Sequence, residues 1–374
     1  MKTFPHGSPS ALTRRDFIGR VSLGAAALSL TSRLRAQDAP PGKKLGVALV
    51  GLGYYSRAEL GPALKLTNHC RLAGVVTGDR AKGESWAKDH GFSEKSIYNY
   101  DTMARIADDP AIDIVYVVTP NSMHAEHTIA AAKAGKHVIC EKPMAMSVAE
   151  SDAMIAACRA AKVKLSIGYR LHFDPFHQEL KRHAREKDWG PFMKMTGANG
   201  FTMGRKVWRA ERKLAGGGPL MDMGVYCVHE ACIAADGAAP VAVTAREHPK
   251  TRPEIFADVE EGLDWTMEFA NGAKAELMTS YSQSVGRFRA EAEKDWMNFQ
   301  PAFGYRGIKV ATSKGPLEIE PVKSQQALQM DDFALCVQEN RESRVPGEMG
   351  RRDMAIIEAI YAAAATGKRT LVGA

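Results

Sequence analysis

A lysine directly after a short apolar stretch is the first residue in this sequence whose position suggests chemistry. Residues 138–140 are apolar, and Glu141, Lys142 and Pro143 follow at once. Because proline cannot donate a hydrogen bond to a sheet, a strand over these residues has to end there. Lys142 then lies at the carboxyl end of a strand, where open α/β sheets bind ligands. An ammonium group there can bind a hydroxyl group or lower the pKa of a neighbouring acid; for one isolated lysine, the alternative is a solvent-exposed loop residue.

A glycine-rich turn near residue 50 indicates a dinucleotide site. The apolar stretch 45–50 runs into Gly51 and Gly53, and Ser56 stands in the last place of a G-x-G-x-x-G pattern. The two glycines allow a tight turn and the close approach of a pyrophosphate, and the following helix offers its N-terminus. Because Ser56 replaces the glycine used for close packing, we expect this helix to lie slightly further from the sheet.

The end of the second predicted strand bears on the choice of cofactor. Residues 72–77 form an apolar stretch that ends at Thr77, and Asp79, Arg80 and Lys82 follow. An NAD site usually has an acidic residue here that accepts a hydrogen bond from the ribose 2′-hydroxyl group. A hydroxyl group and two cations suit a 2′-phosphate better, so the sequence favours NADP. Asp79 lies one position later than the usual acidic residue and could still accept this hydrogen bond, so NAD remains an alternative.

The pattern of the whole chain predicts two domains that would position these residues. In the first half, apolar strands alternate with helices, and residues 147–150 form a capping box at one helix start. In the second half, long β-like stretches and an Asn271-Gly272 hairpin signal predict a large, mostly antiparallel open sheet. The prediction is an α/β fold with a Rossmann domain over 45–168 and an α+β domain over 169–374. The predicted strands are 45–50, 72–77, 112–119, 138–143, 164–168, 193–202, 241–247, 264–269 and 273–281, and the later helices are 220–235, 325–340 and 351–366.

The first 36 residues differ from the rest of the chain. They hold most of the formal net charge of +7, namely +5, so the basic character does not indicate a nucleic-acid partner. Arg14 and Arg15 precede Phe17 and a mild apolar run, in the order typical of a twin-arginine export signal. We therefore expect a signal over 1–36, a proline-containing arm over 37–44, and a periplasmic enzyme with no membrane segment once processed.

No metal site is predicted. His124 and His127 lie three residues apart on a predicted helix, as metal ligands often do, but no acidic or cysteine partner is in register. His172 and His177 are also not interpreted as metal ligands. The six cysteines also lack metal-ligand spacing and are interpreted as apolar core thiols.

Several short motifs occur along the chain at distinctive positions. They are residues 51–53, 119–121 with His124, 134–137, 140–143, 168–170, and 215–218 leading to Asp222 and Tyr226. Together they resemble the Gfo/Idh/MocA family of oxidoreductases, and in particular its periplasmic sugar-oxidising members. The similarity covers residues 45–370, and it includes the late Pro346, Gly347 and Glu348 and the helix with Tyr361.

The resemblance implies roles for particular residues. It implies Lys142 as the catalytic lysine, with Asp222 and Tyr226 as its catalytic partners; a spacing of four residues on a helix puts both side chains on one face. His229 is off that register and is interpreted as structural. Substrate contacts are expected from Lys142, Arg170, His172, Asp222 and Tyr226, although a structural ion pair is an equal alternative for Arg170 and His172. The expected cofactor-binding residues are Gly51, Gly53, Tyr54, Tyr55, Thr77, Arg80, Lys82, Pro120, Asn121, His124, Glu141, Lys142, Arg170, Trp208 and Arg209.

These residues suit the oxidation of a sugar. A free tyrosine has a pKa of about 10, and a cation within roughly 4–6 Å favours its phenolate form. With Lys142 as that cation, Tyr226 can act as the general base. We expect an NADP-dependent enzyme that oxidises an aldose to its lactone, as a homodimer or homotetramer, and that keeps its cofactor bound while a second sugar reoxidises it.

Other functions remain open at this point. A nicotinamide-dependent glycosidase and a plain aldose dehydrogenase use the same groups. A non-catalytic dinucleotide-sensing regulator is disfavoured by the export signal and the set of Lys142, Asp222 and Tyr226.

Overall fold

Two β-sheets with helices between them make up the part of the chain that the structure describes. The computed structural model describes residues 43–373. The predicted export signal and residues 37–42 of the predicted arm lie outside this range. Within residues 43–373, no helix is long and apolar enough to cross a membrane.

The first sheet is parallel and has six strands in the order β3-β2-β1-β4-β5-β6. This order reverses direction between β1 and β4, so a crevice opens at their carboxyl ends. Its central strands are buried on both faces, as their continuous apolar sequences predict. The strands are β1 Leu45–Val50, β2 Cys70–Val76, β3 Ile97–Tyr98, β4 Ile114–Val117, β5 His137–Cys140 and β6 Leu165–Ile167.

Helices connect these strands, and their start points follow local side-chain chemistry. Asp79 accepts a hydrogen bond from the main-chain N–H of Lys82 at the start of α2, and Ser147 accepts one from Glu150 at the start of α4. Both contacts satisfy N–H groups that a helix start leaves free. The helices of this half are α1 Gly61–Leu64, α2 Arg80–His90, α3 His124–Lys133 and α4 Val148–Ala160.

The second sheet has nine strands in the order β14-β13-β12-β11-β7-β10-β9-β8-β15. Neighbours are antiparallel except β7 and β10, which are parallel. The two sheets confirm the predicted fold class. The strands are β7 Lys194–Gly200, β8 Ala242–Glu247, β9 Gly262–Glu268, β10 Lys274–Ser280, β11 Val285–Glu291, β12 Trp296–Phe299, β13 Val310–Thr312, β14 Gly315–Pro316 and β15 Thr370–Leu371.

The second half has more elements than the sequence predicted. Strands β11 to β15 were not predicted, nor was a helix over residues 175–186. Asp174 before Pro175, followed by Phe176 and Leu180 four residues apart, was an available start signal for that helix. The helices are α5 Pro175–Glu186, α6 Arg212–Ala215, α7 Val225–Ala234, α8 Pro253–Phe256, α9 Gln325–Gln338 and α10 Gly347–Thr366.

A shared hydrophobic core joins the two halves of the molecule. Helices α4, α7 and α10 contribute to one buried cluster that also includes residues from both sheets. The last helix, α10, packs against α4 and β6 of the first half and against β8 of the second sheet. The carboxyl ends of β4 and β5 thereby face the start of α7 across a fixed interface.

Candidate active site

A cavity of about 490 Å³ lies between the carboxyl ends of the first sheet and the residues before α7. From the first half, Tyr55, Asn121, Glu141 and Lys142 line it. From the second half it is lined by Arg170, Phe201, Trp208, Arg209, Asp222, Met223, Tyr226, Phe303, Gly304 and Tyr305. The dimensions suit a small molecule together with part of a cofactor.

Lys142 lies at the centre of the cavity wall. Strand β5 ends at Cys140, and the Glu141 N–H still donates to Val117 of β4, so the next residue projects from the sheet edge. The Lys142 Nζ atom donates to the main-chain oxygen of Asp222 at 2.9 Å and lies 3.8 Å from its carboxylate Oδ1. The same Nζ atom lies 4.4 Å from the ring centre of Tyr226. The three predicted catalytic residues are therefore in contact.

Asp222 is a partly buried carboxylate held in its ionised form. Its Oδ2 atom lies 3.1 Å from Arg209 Nε and accepts a 3.1 Å hydrogen bond from the Tyr281 hydroxyl group. Burial raises the pKa of Asp222, but Arg209, Lys142 and the Tyr281 hydrogen bond outweigh it, so the pKa lies below its ordinary value. Tyr281 was not identified from the sequence; it lies 59 residues further along the chain, at the end of β10.

The helix that carries Asp222 and Tyr226 is less regular than predicted. Residues Leu220–Gly224 form a π-helical turn, and α7 begins at Val225. The single α-helix expected over 220–235 is therefore corrected to a π-helical turn followed by an α-helix. Asp222 and Tyr226 both still face Lys142 across this junction. Such π-turns are frequent at functional sites.

Arg170 binds a loop of the second half. Its guanidinium donates to the main-chain oxygens of Phe303 and Gly304 and to the side chain of Gln325. It also stacks between two tyrosine rings, 4.4 Å from the centre of Tyr305 and 5.2 Å from that of Tyr226. Arg170 lines the cavity, but in this structure its donors position the loop at 303–305.

His172 lies outside the cavity lining, which departs from the expectation of a substrate contact. Its Nε2 atom is 2.7 Å from Nε2 of His229, and the other ring nitrogen of His229 is 2.5 Å from Asp353. The ring of His229 also stacks on Tyr169 at 3.8 Å. These groups form a buried structural network beneath the site, as expected for His229.

The glycine turn has the geometry that a dinucleotide requires. Gly51 has a φ of +95°, which side-chain-bearing residues rarely adopt. A Cβ atom on Gly53 would meet nothing within 4 Å, so its backbone faces open space. Ser56 is buried and its hydroxyl group donates to the Gly51 oxygen at 2.6 Å. Tyr54 is 73% exposed at the mouth, whereas Tyr55 faces Tyr305 across the cavity.

Residues at the ends of β4 and β5 line the next part of the predicted cofactor site. Asn121 donates to the Ala215 oxygen at 2.8 Å and thereby fixes the start of the triple-glycine loop; Pro120 precedes it. Both ring nitrogens of His124 lie 2.9 Å from main-chain oxygens, so the ring holds the loops after β4 and β5 together. The Glu141 carboxylate accepts a 2.7 Å hydrogen bond from Tyr116, and burial raises its pKa.

Thr77, Arg80 and Lys82 were predicted around the ribose 2′-position, and the structure gives each of them different contacts. The Thr77 hydroxyl oxygen accepts from the Asp79 N–H and shapes the turn. Arg80 is paired with Glu84 at 2.9 Å and with Glu94 at 3.8 Å. Lys82 lines a surface groove together with Gly53 and Ser85.

A further cation, Arg57, lines the same groove and was not identified from the sequence. Within residues 43–373, neither Arg57 nor Lys82 has an acidic partner within 4.0 Å. Lys65 and one carboxylate, Asp89, line the groove as well, so cations outnumber acids beside the glycine turn and an anion would fit there.

Trp208 and Arg209 lie on the loop that covers the cavity from the second half. The Arg209 guanidinium stacks on the Trp208 ring at 4.5 Å, besides its contact with Asp222. Phe201, Phe303 and Tyr305 also line the cavity without having been predicted, because they come from segments far apart in the sequence. Within the described residues, no group of three or more histidine, cysteine, aspartate or glutamate side chains is arranged to hold a metal.

The fold and the site define a Rossmann oxidoreductase, and comparison with known proteins identifies its family. Residues 45–169 match "Oxidoreductase family, NAD-binding Rossmann fold", and residues 177–296 match the "GFO/IDH/MocA C-terminal domain". The chain belongs to the Gfo/Idh/MocA family. Its cofactor is a nicotinamide dinucleotide, which the open backbone at Gly53 and the cation groove fit.

Solved structures and characterised relatives extend across both domains. An aldose-aldose oxidoreductase from Caulobacter crescentus is 40% identical, covers 88% of this chain and all of its own, and superposes with a TM-score of 0.85. D-xylose 1-dehydrogenase [NADP(+)] of Haloarcula marismortui is 28% identical over 333 residues, which are 85% of this chain and 91% of that protein. The scyllo-inositol 2-dehydrogenase (NAD(+)) of Bacillus subtilis is 29% identical over 307 residues, 78% of this chain and 84% of that protein.

Proposed function

We propose that this protein oxidises the carbon-1 hydroxyl group of an aldose to the lactone with NADP as cofactor. The observation that carries the proposal is the contact of Lys142 with both Asp222 and Tyr226, at the end of a groove that begins at the glycine turn. The names of the relatives support a sugar substrate, since they act on aldoses, xylose or an inositol.

The side chains around the cavity suit removal of a hydroxyl proton. The ammonium group of Lys142 lies 4.4 Å from the Tyr226 ring centre, so a cation stands beside the tyrosine that the family resemblance implies as the general base. Tyr226 then accepts the proton from the sugar O1 atom, a role worth roughly 10²–10⁴ in rate. Asp222 stays ionised and holds Lys142 and Arg209 in position. When bound, NADP supplies the acceptor for the hydride from carbon 1.

The groove beside the glycine turn favours NADP over NAD. Arg57 and Lys82 line it with no acidic partner within 4.0 Å in residues 43–373, although Asp89 lines the same groove, and a 2′-phosphate would pair with the two cations. We expect Lys82→Ala and Arg57→Ala each to weaken NADP binding about tenfold and to leave NAD binding unchanged. Titration of cofactor-free protein with each dinucleotide measures this. Arg80→Ala is the matched control, because Arg80 already forms ion pairs with Glu84 and Glu94. Tighter binding of NAD than NADP by the unmodified protein would show the cofactor assignment to be wrong.

We also propose that the cofactor stays bound between two sugars. The sequence at the N-terminus predicts export after folding, and the periplasm offers no ready supply of nicotinamide dinucleotides. The lactone would leave, and a second sugar with a carbonyl group would take up the hydride and the proton in the same cavity. The name of the Caulobacter crescentus relative, an aldose-aldose oxidoreductase, supports such a two-sugar cycle. We propose a homodimer or homotetramer for the working enzyme, as the family resemblance implies.

The decisive experiment uses native protein that has been dialysed extensively. Adding an aldose alone should produce the absorbance of reduced nicotinamide, and adding a second sugar should abolish it, with lactone and polyol as the products. A colourless protein that turns over only with added NADP would be a plain aldose dehydrogenase. Release of nitrophenol from a nitrophenyl glycoside without any acceptor would instead identify a glycosidase.

The proposed periplasmic location has its own test. Full-length protein should appear in the periplasmic fraction, and replacing Arg14 and Arg15 by lysine should retain it in the cytoplasm. Equal export of the unmodified protein and the Lys-Lys variant would contradict the twin-arginine assignment.

A further inference from the structure

Two buried glutamates, Glu260 and Glu261, lie directly before β9 and do not line the active-site cavity. A buried carboxylate is costly unless hydrogen bonds or a cation replace the water that it has lost. The partners of each glutamate therefore show what holds it in place. These partners belong to two different segments of the chain, and both segments lead to Asp222.

Glu260 contacts the turn that carries Asp222. Its Oε1 atom accepts a 3.2 Å hydrogen bond from the main-chain N–H of Leu220, the first residue of the π-helical turn. N–H groups at the start of a helical segment have no partner within that segment, and a side-chain oxygen can satisfy them. The same Oε1 atom accepts a 2.8 Å hydrogen bond from the hydroxyl group of Tyr361 on α10. Glu260 thus connects the start of the turn with the last helix.

The glycines before the turn leave room for this contact. A Cβ atom on Gly217 would overlap the Tyr361 hydroxyl group, and a Cβ atom on Gly218 would overlap the main-chain oxygen of Glu260. The backbone can approach the two residues this closely only because glycine has no side chain. The glycine run therefore allows the close contact that places the turn.

Glu261 acts on the other side of Asp222, through Arg252. Burial raises the pKa of Glu261, but hydrogen bonds from hydroxyl and main-chain N–H groups outweigh it and hold the pKa at about 2. The ionised carboxylate lies 3.3 Å from Arg252 Nε. The Arg252 guanidinium donates to the main-chain oxygens of Met203 and Tyr281, at 2.7 Å each. Tyr281 is the residue whose hydroxyl group donates to Asp222.

We propose that Glu260 and Glu261 are positioning residues for Asp222. Glu260 places the turn that carries the Asp222 carboxylate and the main-chain oxygen to which Lys142 donates. Glu261, through its arginine partner, places the hydroxyl group of Tyr281 against the same carboxylate. The proposal rests on the proposed function only for the reaction in which Asp222 takes part.

The ionisation of Asp222 tests the proposal without any substrate. Burial raises the pKa of Asp222, but its partners lower it by more. The charged or titratable groups that face it are Arg209, Lys142, Tyr281 and Tyr305. If the turn moves, the carboxylate leaves the two cations and its pKa rises toward the ordinary value. Titration of the carboxyl carbon by NMR, in protein labelled with ¹³C-aspartate, measures this pKa, and Asp222→Asn assigns the signal.

The largest rise is expected when Glu260 is truncated. Glu260→Ala loses both hydrogen bonds, whereas Glu260→Gln keeps an oxygen acceptor and should restore most of the wild-type titration. Glu276→Ala is the control, because it removes an exposed carboxylate from β10. Circular dichroism checks folding. If Glu260→Ala does not fold, Tyr361→Phe removes one of the two hydrogen bonds and should give a smaller rise in the same direction.

The role of Glu261 has a separate test in the same measurement. Glu261→Gln removes the charge beside Arg252, and it should raise the pKa of Asp222 by about as much as Tyr281→Phe does. In a protein that already carries Tyr281→Phe, it should have no further effect, because it acts through that hydroxyl group. Equal effects with and without the Tyr281 hydroxyl group would contradict this part of the proposal.

Steady-state kinetics test whether Glu260 acts through Asp222 during the reaction. Alone, Glu260→Ala should lower kcat about tenfold and leave the affinity for NADP unchanged. Combined with Asp222→Asn, it should lower kcat no further than Asp222→Asn alone. Losses that multiply in the double variant, or an Asp222 titration that is unchanged in every folded Glu260 and Tyr361 variant, would overturn the proposal. A protein that oxidises no aldose would count against the proposed function, and the NMR titrations would still decide the positioning role.

Discussion

Asp222, which is partly buried, and Glu230, which is fully buried, are carboxylates only eight residues apart, and their surroundings affect them in opposite ways. Asp222 contacts Lys142, Arg209 and the Tyr281 hydroxyl group, which lower its pKa. Glu230 faces a small cavity and one histidine, and burial raises its pKa to about 7. Pairs of acids whose surroundings separate their pKa values commonly divide acid and base roles between them. The partners of Asp222 therefore favour its charged form, whereas burial favours the neutral form of Glu230.

The largest effect is expected from removing Lys142, which contacts Asp222 and lies beside Tyr226. Lys142→Met should lower kcat/KM for the aldose by roughly 10³, because Tyr226 and the ionised Asp222 both lose the cation beside them. Steady-state kinetics measure this, with circular dichroism as the check on folding and Lys133→Met as a control for the loss of an exposed cation. Unchanged turnover would revive the possibility of a non-catalytic dinucleotide-binding protein.

The next largest effect concerns the pH dependence of stability. The folded protein keeps the Glu230 proton up to about pH 7, whereas the unfolded chain releases it near pH 4.5, so the folded state binds more protons in this window. The contribution of Glu230 to the free energy of unfolding therefore falls as the pH rises from 4.5 to about 7, by roughly 3 kcal/mol at most.

Glu230→Gln should remove this decline, so the variant gains stability relative to the wild type as the pH rises from 4.5 to 7. Urea unfolding at a series of pH values gives the two curves. Parallel curves would mean that Glu230 does not hold a proton in the folded state.

Asp222→Asn tests the role of the ionised carboxylate of the two. The change keeps the shape but removes the negative charge that Lys142 and Arg209 share, and we expect kcat to fall about thirtyfold, as for loss of hydrogen bonds to a charged group. The variant should bind NADP with unchanged affinity, since Asp222 contacts the groups at the substrate end. A rise in KM with an unchanged kcat would instead indicate that Asp222 only binds the sugar.

The smallest effect is expected from Tyr281→Phe. The Tyr281 hydroxyl group donates a 3.1 Å hydrogen bond to Asp222 and helps to lower its pKa. Without it the pKa of Asp222 rises, so activity on the acid side should disappear at a higher pH, with a loss of less than about tenfold at neutral pH. The pH profile of kcat/KM measures the shift; a profile that does not move would mean that Arg209 and Lys142 alone keep Asp222 ionised.

Local patterns in the sequence were sufficient for five of the six strands of the parallel sheet, all but the two-residue β3, and for the glycine turn. An apolar strand followed by Gly51 and Gly53, and another that ends at Lys142 and Pro143, identify the edge where ligands bind, because strand ends and turns depend on nearby residues. The capping serine at residue 147 is of the same kind. For Tyr226 and Asp222, the resemblance to a family supplied the assignment, and the structure brings both against Lys142.

Contacts between segments far apart in the sequence could not be predicted from these local patterns. Arg57 lines the open groove, whereas Arg80 is paired with Glu84 and Glu94. Which cation remains available therefore depends on the acids that folding brings near it. His172 looked like a substrate ligand next to a strand end, but its ring packs against His229 from α7.

The sequence by itself determined that this chain has a dinucleotide-binding domain, a second domain with a large sheet, and a lysine at the carboxyl edge of the first sheet. These features follow from hydrophobic periodicity, glycine geometry and proline chemistry, which act over a few residues. The tertiary structure alone decided the charge states of the site. Whether a carboxylate is ionised depends on burial and on partners from elsewhere in the chain, such as Tyr281 for Asp222 and His177 for Glu230, and folding has to bring those groups together first.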